Sequence, residues 1–456
     1  MTHVIVGGGF VGTTVACHLL RDAPSGSRII LINGGGGLAR GLAYGTNSPL
    51  HLLNVPAARM SWDSIVQNDF VDWLALHGVN CSGSSFVPRA HYGAYLLDTL
   101  HQHVAARPDV SWQHMIDYAT SLRRCPGGHW ELHLLSGERV QAKSVVVALG
   151  NFSPSCPHRD LLNLPTRCYA SNPWSDEPLA GLSHDSPVAI IGTGLTMLDL
   201  LISLKAQNHH GPILALSRRG LLPQVHRSNE LPSHAWTAPA EWLDDIDETR
   251  GLFRQVRAAI ESSRQSGHDW RDIWVELRSR TPNLWQRLSG RNRAQFLRHA
   301  QVLWDAHRHR AAPEAMQVLM QLRTKGKLQI AAGRLQSVTA EADGANLIWR
   351  SRNAKGLSAF HAERIFNCTG PSTRPEDDRT ALFASLASQD RLAPCPLGLG
   401  VQTDNSYHLL DGQGNAQSRL YYAGPMLRAK LWEATAVPEL REHTRRLARI
   451  VLNESS

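Results

Sequence analysis

The sequence lacks the features of membrane, secreted or disulfide-stabilised proteins. Its 456 residues contain only seven cysteines, which are scattered and include no Cys-x-x-Cys pair. A dithiol reductase needs two thiols within exchange distance, so that class is excluded. No uncharged apolar run approaches the roughly 20 residues that a membrane-spanning helix needs. The start, MTHVIVGGGF, has neither region of a secretory signal, and we therefore expect a cytoplasmic protein with reduced cysteines.

Lysine-rich blocks are also missing. The formal net charge is +8, but the basic residues are interspersed with Trp, Leu and His instead of forming one patch. We therefore expect neither a nucleic acid nor a membrane as partner, and phosphate-bearing cofactors account for the basic excess. The hydrophobic content of 42% with 19% charged residues is that of an ordinary globular protein with more than one domain.

A glycine-rich turn follows the first predicted strand, HVIV. It matches the pattern GxGxxG with Gly7, Gly9 and Gly12. These glycines let the backbone approach a pyrophosphate, and the helix that follows, opened by Phe10 and Val11, directs its N-terminus at the phosphate charge. The sequence therefore predicts a dinucleotide site here.

The next apolar strand, RIILIN, ends at Asn33, 21 positions after Gly12. Dinucleotide-binding folds usually have Asp or Glu at this point to bind the ribose hydroxyls. Asn33 can still form a hydrogen bond to a hydroxyl, although it carries no charge.

Three further predicted strands end in glycine turns. Their glycines are Gly150 in SVVVALG, Gly370 in RIFNCTG and Gly424 in LYYAG. A large doubly wound domain would offer such turns to one long ligand, whereas ordinary strand-to-loop glycines are the alternative.

A second strand, turn and helix occur in the middle of the chain, in VAIIGTGLTMLD. Gly192 and Gly194 fit the fingerprint, Leu195 and Thr196 open the helix, and Met197 replaces the third glycine, which predicts looser packing.

The strand after that helix ends at Arg218 and Arg219. Guanidinium groups at this point match a 2′-phosphate, so the pair indicates NADPH over NADH, with an ordinary surface pair as the alternative.

Six long segments resemble bacterial FAD/NAD(P)-binding proteins of the YdhS-like type, which are related to two-dinucleotide flavin monooxygenases and N-hydroxylases. The segments are GLAYGTNSPLHLLNVPAARM, FVPRAHYGAYL, IGTGLTMLD, SRRGLLPQVH, FLRHAQVLWDAHRHRAAP and LWEATAVPELR. The resemblance implies an α/β fold with two Rossmann-like domains, a glutathione-reductase-like FAD domain and an inserted NAD(P) domain. It also implies a small substrate, with an amine or amino acid as candidate, and O₂ as co-substrate.

The resemblance implies further cofactor contacts. Asn54, Val55, Met60 and Trp62 would line the isoalloxazine ring, and Arg89 lies in a matching segment. Near the C-terminus, the candidates beside the ring are Trp432, Glu433 and Thr435. No catalytic acid or base stands out, because in such enzymes the flavin carries the chemistry.

A helical insertion is predicted at about 240–321. Trp270, Ile273, Trp274 and Leu277 have helical spacing, which is more typical of a core than of a cofactor site. His299, His307 and His309 lack the spacing of a helical metal site, so we expect no metal there. A basic helix with Arg298, Arg308 and Arg310 would instead contact a charged cofactor or substrate.

We therefore expect an FAD-binding domain from residues 1–180 and 335–456, and an NADPH-binding domain from residues 181–334. The expected function is that of an FAD-dependent, NADPH-using oxidoreductase, namely a monooxygenase. Two alternatives stay open: an NADPH-dependent flavin oxidoreductase that reduces an acceptor other than oxygen, and a non-catalytic nucleotide-binding sensor. Substrate identity and oligomeric state are left open.

Overall fold

The computed structural model describes residues 1–35, 37–46, 48–174, 178–227, 236–352, 355–378 and 381–455. Its strands in chain order are β1 (Thr2–Val6), β2 (Arg28–Ile32), β3 (Ser111–Met115), β4 (Ala119–Arg124), β5 (Trp130–Leu134), β6 (Arg139–Ala142), β7 (Ser144–Val147), β8 (Tyr169–Ala170), β9 (Val188–Ile191), β10 (Ile213–Ser217), β11 (Leu328–Glu341), β12 (Gly344–Ser351), β13 (Leu357–Ala362), β14 (Arg364–Asn367), β15 (His408–Leu410) and β16 (Ala416–Tyr422).

Its α-helices in chain order are α1 (Phe10–Asp22), α2 (Gly41–Tyr44), α3 (Asp69–Leu76), α4 (Arg89–Ala106), α5 (Leu195–Ala206), α6 (Thr249–Gln265), α7 (Trp270–Arg287), α8 (Gly290–His299), α9 (Gln301–Arg308), α10 (Pro313–Thr324), α11 (Leu382–Ser388), α12 (Arg428–Leu431) and α13 (Val437–Asn453). No helix in the described ranges has the length and apolar character required to span a bilayer.

The first sheet is built from both ends of the chain. Its strand order is β15-β16-β7-β1-β2-β3, and the strands from β16 to β3 run parallel. Strands such as β2 are rich in Ile and Leu and buried almost throughout, as parallel strands covered on both faces must be. Helices α1 and α13 pack against each other beside this sheet, so the C-terminus completes the N-terminal unit.

The second sheet contains the middle of the chain. Its order is β13-β12-β11-β10-β9-β14-β8, with a parallel part from β11 to β8 and an antiparallel hairpin formed with β12 and β13. Helix α5 connects β9 to β10, and α10 packs on α5 before β11. Both sheets therefore have the doubly wound arrangement that the two glycine turns predict.

The domain boundaries differ from the sequence-based expectation. That expectation places residues 344–367 in the first domain, but β12, β13 and β14 lie in the second sheet, as does β8. The short strand β14 pairs with β9, since Arg364 to Asn367 align with Val188 to Ile191. An apolar strand with a glycine turn has the same sequence pattern in either sheet, so pairing alone decides its position.

The helical insertion is confirmed as helices α6 to α9. The predicted apolar face of α7 is buried, with Ile273 and Leu277 at 0% exposure. These residues belong to a separate core rich in tryptophan, which also receives Trp432 from the C-terminal segment. The insertion is therefore packed against the first unit as well as joined to the second.

Candidate functional site

The first glycine turn lies at the carboxyl edge of the first sheet. A Cβ on Gly7, which has φ of 112°, would lie 2.5 Å from the Ala148 carbonyl oxygen, and a Cβ on Gly12 would lie 1.8 Å from the Gly7 carbonyl oxygen. Both glycines are therefore required by close backbone approach. Gly9 precedes α1 and faces the backbone of Gly41.

The sequence predicts cofactor contacts for Phe10 and Val11, but both side chains are buried in the first core. Only their backbone N–H groups, at the N-terminus of α1, are oriented to bind a phosphate.

Asn33 holds the turn from the neighbouring strand. Its Oδ1 accepts a hydrogen bond of 3.2 Å from the Gly8 backbone N–H. The side chain thus lies at the end of β2, as the sequence predicts, and it supports the glycine turn that is expected to bind a pyrophosphate. A ribose contact by Asn33 stays a prediction.

Gly150 and Gly424 lie at the same edge, after the adjacent strands β7 and β16. A Cβ on Gly150 would have open space around it, whereas Gly424 has φ of 142° and lies against the Leu149 carbonyl. The Tyr422 hydroxyl donates to that carbonyl and accepts from the Met426 backbone N–H, at 3.1 Å each. These bonds fix the two turns side by side next to the first glycine turn.

Met60 and Trp62 are not exposed to a ligand cavity. Their side chains are 2% and 5% exposed within the first core, and Trp62 packs between His18 and His103 at ring distances of 4.8 and 4.9 Å. A contact of these two side chains with an isoalloxazine ring stays a prediction, and the structure shows both of them packed in the first core.

Asn54 remains available at the surface between the two units. It is half-buried, and its backbone carbonyl accepts a hydrogen bond of 3.0 Å from Nε2 of His226. Because a carbonyl can only accept, His226 carries its proton on Nε2. Burial first, and then the charge of Arg310, lower the pKa of His226 to about 4, so the ring is neutral at pH 7.

Arg89 forms an ion pair instead of pointing at open solvent. Its Nη2 lies 2.8 Å from Oδ2 of Asp199, and its Nε donates to the Leu52 carbonyl at 3.0 Å. Asp199 is buried, which raises the pKa of its carboxyl group, and the charge of Arg89 opposes that effect. Arg89 therefore links the two units, and a direct cofactor contact by Arg89 stays a prediction.

The second glycine turn repeats the construction of the first. Gly192 has φ of 115°, and a Cβ there would lie 2.1 Å from the Cys368 carbonyl oxygen, as Gly7 lies against Ala148. Gly194 is exposed with open space around it, and Leu195 and Thr196 are half-buried in the first turn of α5. Met197 is buried in the second core.

The first turn of α5 has a longer hydrogen bond than that of α1, whereas the looser packing expected from Met197 stays a prediction. The first-turn hydrogen bond of α5, from the Leu198 N–H to the Gly194 carbonyl, is 3.4 Å long. The equivalent bond of α1, from Thr13 to Gly9, is 3.0 Å long. Helix α5 therefore starts less tightly than α1.

Arg218 and Arg219 have different surroundings. Arg219 donates to the carbonyls of Arg298 and His299 at the end of α8, at 3.3 and 3.2 Å. Arg218 is exposed and, among the described residues, makes no hydrogen bond or ion pair. Only Arg218 is therefore left to bind a phosphate at the end of β10.

Gly370 follows β14 and so belongs to the second sheet, which corrects its assignment to the first. It has φ of 93°. It lines a cavity of about 230 Å³ together with Ser155 and Arg374.

The C-terminal candidates are largely occupied by other contacts. Trp432 stacks on Trp285 with ring centroids 4.7 Å apart, and Glu433 is 3% exposed and pairs with Arg308 at 2.8 Å. Both side chains therefore hold the insertion in place, and a ring contact by either stays a prediction. Thr435 is exposed two residues before α13 and is available to a ligand.

The insertion histidines do not come together. His307 stacks on Trp274, while His309 lies 3.7 Å from Asp305. Within the described ranges, the one cluster with three potential metal ligands is on the exposed hairpin, from Glu341, Asp343 and His361. An acidic surface cluster of this kind does not indicate a metal.

Sequence reasoning missed Arg59 and His226. Desolvation by the surrounding protein first, and then the charge of Arg278, lower the pKa of Arg59 to about 10, although the residue is partly solvent-exposed. Arg310 is in the same situation, with a pKa also lowered to about 10 by burial and by Arg271. Both stay cationic at neutral pH. Arg59 lies next to Met60 in one of the resembling segments, but only the fold reveals that it faces other arginines.

Neither Arg59 nor Arg310 forms an ion pair with a described residue. The neighbouring arginines do: Arg278 pairs with Glu439, and Arg308 with Glu433 and Glu439. Arg59 and Arg310 both act on the ring of His226, so two positive charges without an ion pair to a described carboxylate lie around this histidine.

Residues 4–152 match the family described as FAD-NAD(P)-binding. This match confirms a dinucleotide-binding unit at the start of the chain. No curated protein sequence matches the chain significantly.

Solved structures with the same fold extend over both units. The ornithine N-hydroxylase of Kutzneria sp. 744 matches with a TM-score of 0.64 at 14% identity, covering 100% of this chain and 99% of its own. The reduced form of the ornithine hydroxylase of Pseudomonas aeruginosa matches with 0.65 at 14% identity, and the L-lysine 6-monooxygenase of Pseudomonas syringae with 0.66 at 13% identity; each match covers 100% of this chain and 99% of the other. The chain therefore has the two-dinucleotide flavoenzyme fold.

Proposed function

We propose that the chain is an FAD-dependent, NADPH-using monooxygenase that oxygenates a small amino acid carrying an anionic group. The observation that carries the proposal is the duplicated glycine turn, once against Ala148 and once against Cys368, in a chain whose whole length has the fold of N-hydroxylating monooxygenases. The two turns support one site for each dinucleotide.

The first turn fits FAD. A Cβ at Gly7 or Gly12 would collide with backbone, so the strand and helix come close enough for the free N–H groups of α1 to bind a pyrophosphate. Gly150 and Gly424 lie along the same edge and would border the rest of the cofactor. A bound flavin supplies hydride acceptance and oxygen activation, which no side chain of this chain can provide.

The second turn fits a nicotinamide dinucleotide. Gly194 is open, and the Thr193 hydroxyl and the Ser217 hydroxyl, 2.9 Å apart, fix the loop that carries Arg218 beside it. Ser217 also accepts from the Gly220 N–H at 3.0 Å. Arg218 would therefore meet a 2′-phosphate, which favours NADPH over NADH.

The charges of Arg59 and Arg310 favour an anionic substrate. Two guanidinium groups without acidic partners, Arg59 and Arg310, gain most from a ligand carboxylate, which accepts paired, charge-assisted hydrogen bonds. His226 donates to the carbonyl of Asn54, which anchors the segment that carries Arg59. The ornithine and lysine named for the similar structures also carry a carboxylate, whereas simple amines do not.

The experiment is substrate-stimulated NADPH and O₂ consumption across a panel, with product mass as the second readout. The panel contains aspartate, glutamate, ornithine, lysine, cadaverine and simple amines. We expect stimulation and a product heavier by one oxygen atom only with carboxylate-bearing compounds. Stimulation by cadaverine but by no amino acid contradicts the anionic substrate, and NADPH oxidation coupled only to an acceptor other than oxygen contradicts the monooxygenase.

Arg59→Gln and Arg310→Gln test the anion contact directly. Each change removes one charge-assisted contact, so we expect KM for the amino acid to rise by roughly tenfold to a hundredfold, with a smaller change in the rate at saturating substrate. Arg254→Gln, at an exposed position of α6, removes the same charge elsewhere and is the matched control. An equal effect in the control contradicts the assignment.

A further inference from the structure

A two-stranded ribbon joins the cores of the two units. Its segments, residues 51–54 and 86–89, are held by hydrogen bonds of 2.9 Å from the Leu53 N–H to the Val87 carbonyl and from the Arg89 N–H to the His51 carbonyl. Leu53 and Val87 are buried in the first core. Their neighbours Leu52 and Phe86 pack against the second core.

The polar side chains of the ribbon bind helix α5. Arg89 pairs with Asp199, and His51 lies 2.9 Å through Nε2 from the hydroxyl of Ser203, one turn further along the same helix. Trp174 covers both the guanidinium and the imidazole, at 5.6 Å from the Arg89 guanidinium carbon and 5.7 Å from the His51 ring. The Arg89 and Asp199 side chains are 14% and 9% exposed, so solvent screens this contact little.

Arg89 is connected to each proposed cofactor site indirectly, through one hydrogen-bonded residue. Its Nε binds the Leu52 carbonyl, two residues before Asn54, and its Nη2 binds Asp199, five residues after Gly194. A lysine at this position has one donor group and does not reproduce the fork that spans both acceptors.

We propose that the Arg89–Asp199 ion pair is a positioning link that fixes the second glycine turn relative to residues 51–54 and so brings a bound nicotinamide to hydride-transfer distance from the flavin. The link acts through the ribbon and α5, and neither residue touches the reacting atoms. Hydride transfer requires near-contact distances, and a displacement of about 1 Å costs up to about a hundredfold in rate. The inference rests on the proposed function for its kinetic test, but its structural test is independent of activity.

The kinetic test uses Asp199→Asn and Arg89→Lys in the FAD-loaded protein, reduced anaerobically by saturating NADPH in a stopped-flow instrument. We expect both variants to reduce the flavin more slowly by roughly tenfold or more, with NADP⁺ affinity changed much less. Glu261→Gln breaks an exposed ion pair with Arg264 and is the control. Reduction within about twofold of the unaltered protein in both variants overturns the inference.

The structural test is hydrogen exchange of the backbone amides. In both variants we expect faster exchange at the Leu53 and Arg89 amides, which bond across the ribbon, with unchanged exchange in β2. Faster exchange throughout the chain overturns the inference, because the pair then supports only global stability. If the unaltered protein is not reduced by NADPH, the proposed function fails, and the exchange pattern alone decides on the link.

Discussion

At the scale of single residues, the two adjacent arginines at the end of β10 have different roles. Arg219 caps the carbonyls of α8, whereas Arg218 is exposed and without a partner among the described residues. The sequence could not distinguish the two, because the capped helix is about 80 residues away in the chain. Cofactor selectivity is therefore expected to depend on Arg218 alone.

Arg218→Ala is predicted to weaken NADPH binding and to leave NADH binding nearly unchanged. The loss of a charge-assisted contact to the 2′-phosphate corresponds to a rise in KM for NADPH of roughly tenfold to a hundredfold. The measurement is steady-state kinetics with each nicotinamide, with Arg254→Ala as the charge control. An equal rise in both KM values would show that Arg218 does not bind the 2′-phosphate.

At the scale of a structural element, the two glycines of the second turn are required for different reasons. Gly192 is fixed by the close approach of Cys368, while Gly194 has open space and ordinary φ. The same fingerprint thus contains one glycine required by packing and another that is free to admit a ligand.

Gly192→Ala and Gly194→Ala are predicted to have opposite consequences. The first places a Cβ 2.1 Å from a carbonyl oxygen at a left-handed φ, so we expect the melting temperature to fall or the second unit not to fold. The second should leave the melting temperature nearly unchanged but raise the Kd for NADP⁺. Thermal unfolding and ligand titration check both, and equal stability of the two variants would contradict this division.

The elements themselves were predictable, whereas their partners were not. Local patterns correctly predicted β1, β2, β7, β9, β10, β14 and β16, the helices α1, α5 and α13 and the helical insertion. The position of β14 depends on pairing with β9, and the roles of Trp432 and Glu433 depend on packing against the insertion. Apolar and charged side chains have the same local signature at a cofactor and at an interface, so only long-range contacts separate the two.

Buried histidines give the whole molecule a predictable response to pH. Burial is the main cause that lowers the pKa of His3 and of His226 to about 4, from an ordinary value of 6.5. Between these values the unfolded chain binds more protons than the folded one, so the free energy of unfolding falls as pH is lowered from about 6.5 towards 4.

His3→Gln is predicted to reduce that pH dependence. His3 is 1% exposed, and its Nδ1 lies 2.7 Å from the Ser144 hydroxyl. Its contribution to the free energy of unfolding therefore decreases by up to about 1.4 kcal/mol for each pH unit of acidification. Urea unfolding at several values from pH 7.5 to 4.5 measures the slope for both proteins. Identical slopes would show that His3 is not the group that takes up the proton.

The position of β16 beside β7 has a consequence for vectorial synthesis on the ribosome. All of the second unit leaves the ribosome before β16 and α13, which complete the first sheet and cover α1. Until then β7 is an unpaired sheet edge, which is prone to pair with other chains. The first sheet can therefore reach its full strand order only after the whole second unit has been synthesised.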